Sequence, residues 1–187
     1  MKRRLFVRIR VVSGRYGGRV LDAPDTNRTH PMSERIRSAL FNSLADTIVG
    51  TNVLDAFAGS GAVGFEAISR GASSVVFIER DRIAQKVIQN NIETLDCSER
   101  AALIRASISA WSGQNPDSQF DIIFADPPYH DVQFSTVSKL FTHLKVGGTM
   151  ILSHPGRGEA PSGVKGIVVV DNRSYGNASL TFFRRES

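Results

Sequence analysis

The chain has 187 residues, 41% of them apolar and 22% charged, enough for one α/β domain with a full core but not for two large ones. A single cysteine, Cys97, excludes a disulfide framework and a multi-cysteine metal site, and suits a reducing cytoplasm. No apolar run approaches the roughly 18–20 residues a spanning helix needs, so a soluble, cytoplasmic protein is expected.

The net charge of +5 is unevenly distributed. Residues 1–37 carry ten Lys and Arg against Asp22, Asp25 and Glu34, while the rest of the chain carries thirteen against fifteen acids. Nine of those ten are arginines, whose planar fork suits phosphates and base edges. Such asymmetry fits a polyanion-binding arm, or a solvated hairpin that only aids solubility. Residues 6–21 read as two short strands joined by a Gly-rich turn, with Val7, Ile9 and Val11 alternating with Arg8 and Arg10. Arg15 and Arg19 follow in the turn and second strand. After a polar loop to Pro31, Ser33 caps a helix expected to reach about Ile48, with Ile36, Leu40, Leu44 and Ile48 on one face and Arg35 and Arg37 off that stripe.

From Asn52 onward, short apolar runs alternate with helix-length segments. The runs are 53–57, 75–79, 101–106, 120–126 and 149–153, then 167–171 and 180–183. Helices fit at about 62–70, 81–94 and 131–144, and the gap 107–119 is short and polar. This alternation predicts a mostly parallel sheet covered on both faces. The last two runs lack an intervening helix, so the final strand returns antiparallel. Pro155–Gly166 reads as a flexible loop, and no internal repeat is present.

Gly59-Ser60-Gly61-Ala62-Val63-Gly64 follows the first strand of this alternation and opens a helix. Glu79 closes the next strand, where a ribose-binding carboxylate belongs. On strand–turn–helix the hexapeptide points to a nucleoside cofactor rather than to a tight packing turn. Residues 51–69 contain no Lys or Arg, so a triphosphate-binding lysine is absent, but they do contain Asp55 and Glu66. A pyrophosphate would gain nothing from Asp55, whereas the sulfonium and ammonium of S-adenosylmethionine would. Electrostatics favour the methyl donor.

Asp126-Pro127-Pro128-Tyr129 ends a buried strand, and ligands of open α/β sheets lie beyond the carboxyl ends of strands. Consecutive prolines lack N–H donors and hold extended geometry. An Asp126 carboxylate and a Pro127 carbonyl could therefore accept both hydrogens of an exocyclic amine, while Tyr129 stacks on the base that carries it. Two acceptors would draw a weakly nucleophilic amine toward pyramidal geometry and aim its lone pair at the methyl group. No metal or covalent intermediate is required.

The motifs at Asp55–Gly61, Glu79 and Asp126–Tyr129 resemble the class I S-adenosylmethionine-dependent methyltransferases that act on exocyclic amines. Arg10–Arg19, Glu34–Asn42 and Gly64–Ala72 resemble one group in particular, the RsmD family, and the likeness spans residues 9–184. Where that family carries Arg-Pro-Thr, this chain has His30-Pro31-Met32. The resemblance implies a Rossmann-like, mostly parallel seven-stranded sheet with the last strand antiparallel, extended by an N-terminal β-hairpin and helix. It implies transfer of a methyl group to N2 of a guanine in 16S ribosomal RNA within a partly assembled small subunit, by a monomer, leaving S-adenosylhomocysteine. Asp55, Phe57, Gly59, Ser60, Gly61, Glu79 and Arg80 would form the cofactor set, and Asp126, Pro127 and Tyr129 the catalytic one. Residues 1–31, with Arg8, Arg10, Arg15 and Arg19, would dock on RNA together with Arg35 and Arg37, and residues 32–187 would form the methyltransferase domain.

Competing readings share parts of this pattern. A DNA adenine-N6 methyltransferase would use the same tetrad, but 187 residues show no separate target-recognition domain. Protein-glutamine methylation goes with an Asn-initiated tetrad. An NAD-dependent oxidoreductase leaves the tetrad and the basic arm unexplained, and a non-catalytic RNA-binding assembly factor leaves the intact cofactor motif unexplained. His30, His130, His143 and His154 are scattered without metal-ligand spacing, and His130 reads as a solvated loop residue. Arg173 and Tyr175-Gly176 are expected in the loop before the last strand, and Arg157 and Lys165 extend the basic surface.

Overall fold

A computed structural model describes residues 6–25, 32–156 and 164–187. Strand β1 (Phe6–Arg10) pairs antiparallel with β2 (Val20–Pro24) as the expected hairpin. Helix α1 (Glu34–Leu44) is capped by Ser33, whose hydroxyl accepts from the Ile36 N–H. It ends earlier than expected, because Ala45 takes φ 44° and the chain continues as a 3₁₀ turn over Ala45–Ile48.

The remaining elements follow in order: β3 (Asn52–Asp55), α2 (Ala62–Ser69), β4 (Ser74–Glu79), α3 (Arg82–Thr94), β5 (Ala101–Arg105) and α4 (Ile108–Gln114), then β6 (Phe120–Ala125), α5 (Phe134–Leu140), β7 (Leu144–Pro155), β8 (Ile167–Tyr175) and β9 (Ala178–Arg185). One seven-stranded sheet runs β5-β4-β3-β6-β7-β9-β8. The first five of these pair in parallel, and β9 lies antiparallel between β7 and β8. The fold is the Rossmann-like α/β architecture anticipated above.

Three details differ from the sequence reading. The gap 107–119 holds α4, started by the Ser107 hydroxyl accepting from Ala110 N–H; its Ser, Gly and Asn content hid a seven-residue helix. Strand β7 begins at Leu144, because a register shift opposite Phe120–Ile122 carries it past Gly147-Gly148. Arg173 and Tyr175 are part of β8 rather than of a loop. Residues 26–31, with His30 and Pro31, and residues 157–163, with Arg157 and most of the expected 155–166 loop, lie outside the described residues.

Alternation along the strands splits the core between two faces. Val53, Ile122, Phe124, Leu180 and Phe182 face α1, α2 and α3, where they meet Leu40, Phe41, Phe65 and Ile88. Leu54, Ile123, Met150, Leu152 and Phe183 face α4 and α5, where they meet Trp111, Val137 and Leu140. The hairpin joins the first of these cores through Val11, Tyr16 and Leu21, so it is bonded into the sheet's helical layer.

That attachment centres on Glu66 of α2, which is fully buried. Its carboxylate accepts from the backbone N–H of Val12 (2.7 Å) and Ser13 (3.1 Å) and from Arg70 Nε (2.8 Å). Arg37 of α1 brings its Nε to 3.7 Å from the same carboxylate and donates from its terminal nitrogens to the Met32 and Arg10 carbonyls. Asn91 of α3 completes the attachment by exchanging two hydrogen bonds with the Asp22 backbone. Arg37 is 1% exposed, which corrects its assignment to an RNA-contacting surface. A guanidinium sealed between three segments cannot reach a phosphate.

Candidate active site

The carboxyl ends of β3, β4, β6 and β7 meet at a two-lobed cavity. The larger lobe, about 530 Å³, is walled by Phe57, Gly59, Glu79, Arg80 and Ile108. The smaller, about 370 Å³, is walled by Asp55, Ser60, Pro127, Tyr129 and Ser153. Phe57, Gly59, Asp126 and Pro128 border both lobes, so a ligand in one abuts a ligand in the other. Each volume lies in the range of small-molecule sites.

The glycine loop is shaped by two different needs. Gly61 caps α2 at φ 76°, and a Cβ there would lie 2.6 Å from the Phe65 ring; one on Gly64 would lie 2.2 Å from the Phe77 ring. These two glycines seat α2 on β4. Gly59, at φ 55°, has open space where a Cβ would stand and faces the cavity. Gly61 is thus a turn residue and not a lining one, while Ser60 lines the smaller lobe with its hydroxyl bonded to Ala62 N–H.

Three carboxyl groups converge here. Glu79 accepts from Gly59 N–H and Asp81 N–H, both at 2.7 Å, which fixes the loop and leaves lone pairs on both oxygens for a diol. Asp55 is 2% exposed and accepts from Gly64 N–H at 3.0 Å. Burial pushes its carboxyl up to about 7; the Gly64 bond opposes this, and the Asp126 and Glu79 charges add to it. Asp126 is pushed up to about 6 by loss of solvation, an effect that the neighbouring Ser153 hydroxyl opposes. No Lys or Arg borders the smaller lobe among the described residues. The site is therefore built to receive positive charge.

Beyond β6, the Asp131 N–H donates to the Pro128 carbonyl, whereas among the described residues the Pro127 carbonyl accepts no hydrogen bond. Pro127 lines the smaller lobe together with Asp126. Tyr129 is 39% exposed with its hydroxyl 2.8 Å from Ser153 Oγ, leaving ring surface at the mouth.

The arginines of the extension are arranged unequally. Arg8, Arg15 and Arg35 are exposed, with Arg15 lying over the Tyr16 ring. Arg10 is exposed but paired with Glu34 at 3.0 Å, and Arg19 donates to the Thr94 carbonyl. Cys97 is buried, with its thiol pushed up to about 11, and lies away from the cavity.

Several lining residues escaped the sequence reading. Ser107 and Ile108 wall the larger lobe from the start of α4, in the gap whose sequence is only short and polar. Asn177 reaches the smaller lobe because β9 is antiparallel, so the β8–β9 turn lies at the carboxyl edge of the parallel strands. Met32 and Ile36 form the opposite apolar wall, and His130, although exposed, borders both lobes.

A family model described as conserved hypothetical protein 95 matches residues 9–184. Proteins named ribosomal RNA small subunit methyltransferase D are 37% identical in Haemophilus influenzae and 38% identical in Escherichia coli. Each match covers 65% of this chain, with 64% and 60% of the relative's own length. The Bacillus subtilis protein YlbH, provisionally named an rRNA methyltransferase, is 29% identical over 95% of this chain and 99% of its own. The solved structure of the Escherichia coli yhhF protein, provisionally named a methyltransferase, superposes with a TM-score of 0.85 at 29% identity. That superposition covers 96% of this chain and 99% of the other.

Proposed function

The chain belongs to the RsmD family, the family described as conserved hypothetical protein 95, and from that premise we propose that it methylates N2 of a guanine in 16S ribosomal RNA. The observation that carries this reading is the convergence of unpaired carboxyl groups on a two-lobed cavity, with an acceptor pair and an aromatic ring at the smaller lobe. S-adenosylmethionine, when bound, supplies an electrophilic methyl group on a sulfonium. Glu79 holds the ribose hydroxyls, with Arg80 and Phe57 beside the nucleoside, and Asp55, Gly59 and Ser60 hold the methionine end, on a turn that Gly61 shapes. Tyr129 stacks on the guanine. Asp126 and the Pro127 carbonyl accept the two N2 hydrogens, leaving the nitrogen lone pair directed at the methyl carbon. As the N–C bond forms and the C–S electron pair returns to sulfur, positive charge moves to N2. Asp126 stabilises that charge and accepts the departing proton.

Residues 1–31 act as the docking extension and residues 32–187 as the catalytic domain of a monomer. Exposed Arg8, Arg15 and Arg35 meet phosphates, with Arg10 and Arg19 joining when RNA competes for their present partners. The natural substrate is the partly assembled small subunit. The test is transfer of labelled methyl from S-adenosylmethionine to small subunits from cells lacking the activity, followed by nucleoside analysis. Label in N2-methylguanosine is the expected result; label in N6-methyladenosine, or none, would overturn the assignment.

A further inference from the structure

Ser153 has no place in the motifs, yet it stands between the two groups that handle the substrate. Strands β6 and β7 pair in parallel with Ala125 opposite Leu152, so Asp126 and Ser153 are the next residues along two neighbouring strands at the cavity's edge. Ser153 is 3% exposed, lines the smaller lobe, and places its Oγ 2.8 Å from the Tyr129 hydroxyl. Tyr129 itself lies on the loop after β6, outside any helix or strand, and this bond links its hydroxyl to β7. A serine hydroxyl has one proton to give and two lone pairs to receive with. If Tyr129 donates to Ser153, the Ser153 proton is left for the Asp126 carboxylate.

We propose that Ser153 is a positioning residue for methyl transfer: its hydroxyl accepts from Tyr129 and donates to Asp126, setting the stacking ring and the amine acceptor in one fixed relation. The inference rests on the guanine-N2 reading above. Hydrogen bonds in such a chain polarise one another, so the three groups act together. Donation to Asp126 also favours its ionised form, the form that accepts the amine's hydrogens. The other titratable and charged groups that share the two lobes with Asp126 are Asp55 from β3, Glu79, Arg80 and Asp81 from the end of β4 and the turn after it, and Tyr129 and His130 from its own loop. Ser153 is the neighbour whose hydroxyl opposes the effect of burial on the Asp126 carboxyl group.

The experiment measures kcat, KM for small subunits and the pH dependence of kcat for the wild type, Ser153→Ala, Tyr129→Phe and the double variant. Cofactor affinity is followed by calorimetry. Ser153→Ala should lower kcat about 10- to 100-fold, the worth of a hydrogen bond to a charged group. It should also move the acid limb of the kcat profile to higher pH while leaving S-adenosylmethionine affinity within about threefold. Tyr129→Phe should raise KM for subunits without moving the acid limb. The double variant should be no worse than Ser153→Ala alone, because both remove the same bond. Ser153→Thr, which keeps the hydroxyl, should restore most of the lost rate, and Ser153→Cys serves in place of the alanine variant should that one not fold. An unmoved acid limb in Ser153→Ala, or fully additive losses in the double variant, would overturn the proposal while the wild type still methylates guanine. A wild type that does not methylate guanine would overturn the reading beneath it.

Discussion

Glu66 and Asp55 are both buried acids near the first turns of α2, and their surroundings are opposite. Glu66, at 0% exposure, is matched by Arg37, Arg70 and two backbone N–H groups. Asp55, at 2% exposure, has one N–H and two other carboxyl groups for neighbours. A buried charge is tolerated when it is paired and otherwise shifts toward its neutral form. The first arrangement satisfies itself and fastens the hairpin to the sheet. The second has no Lys or Arg beside it among the described residues, which suits a ligand that brings positive charge. Charges that serve the fold are paired within it, and those that serve a ligand are left waiting.

Breaking the paired region should have the largest effect. Glu66→Ala strands the Arg37 guanidinium and frees the Val12 and Ser13 N–H groups, so it should cost about 3–5 kcal/mol in denaturant unfolding. Arg37→Ala should cost nearly as much, whereas Arg35→Ala, two residues away on the exposed side of α1, should stay within about 0.5 kcal/mol. Equal costs for the two arginines would contradict the burial that separates them.

Breaking the unpaired region should spare the fold and stop the chemistry. Asp126→Ala is expected to reduce methyl transfer about a hundred- to a thousandfold in a single-turnover assay, with the unfolding midpoint unchanged or higher. A normal rate would mean that the amine is held elsewhere.

The raised carboxyl groups give a pH signature of definite sign. Because Asp55 and Asp126 titrate near 7 and 6 in the folded protein and near 4 when unfolded, the folded state holds protons that the unfolded state has released. Stability without ligand should fall as pH rises from about 4 to 7 and level off above that. Affinity for a cationic ligand should rise over pH 5.5–7.5, by up to about tenfold per pH unit for each carboxyl that must ionise. The smallest effect lies on the hairpin. Replacing Arg8, Arg15 and Arg35 together should weaken RNA binding and reduce the slope of log affinity against log salt by about 0.7 for each lost phosphate contact.

Local sequence carried the elements that follow from short patterns. The glycine hexapeptide, Glu79 and the Asp126–Tyr129 tetrad each fall within a few residues of a strand end, and the structure brings all three to one cavity. What stayed hidden depends on contacts between distant segments. Arg37 and Glu66 are apart in sequence, and helical periodicity marks apolar faces without showing that a charged residue beside one is sealed by a partner. Ser153 and Asn177 enter the site through a parallel register and an antiparallel turn, neither of which leaves a local motif. Helix α4 is too short for periodicity to reveal.

The central claim, that the site's unpaired carboxyl groups await positive charge, is tested most directly by calorimetric affinities for S-adenosylmethionine and S-adenosylhomocysteine across pH 5.5–8. The two ligands differ by the methyl group and the sulfonium charge it confers. The ratio of methyl-donor to product affinity should climb as pH rises through 6 and 7 and then level off. A ratio that stays constant across the series would contradict the account.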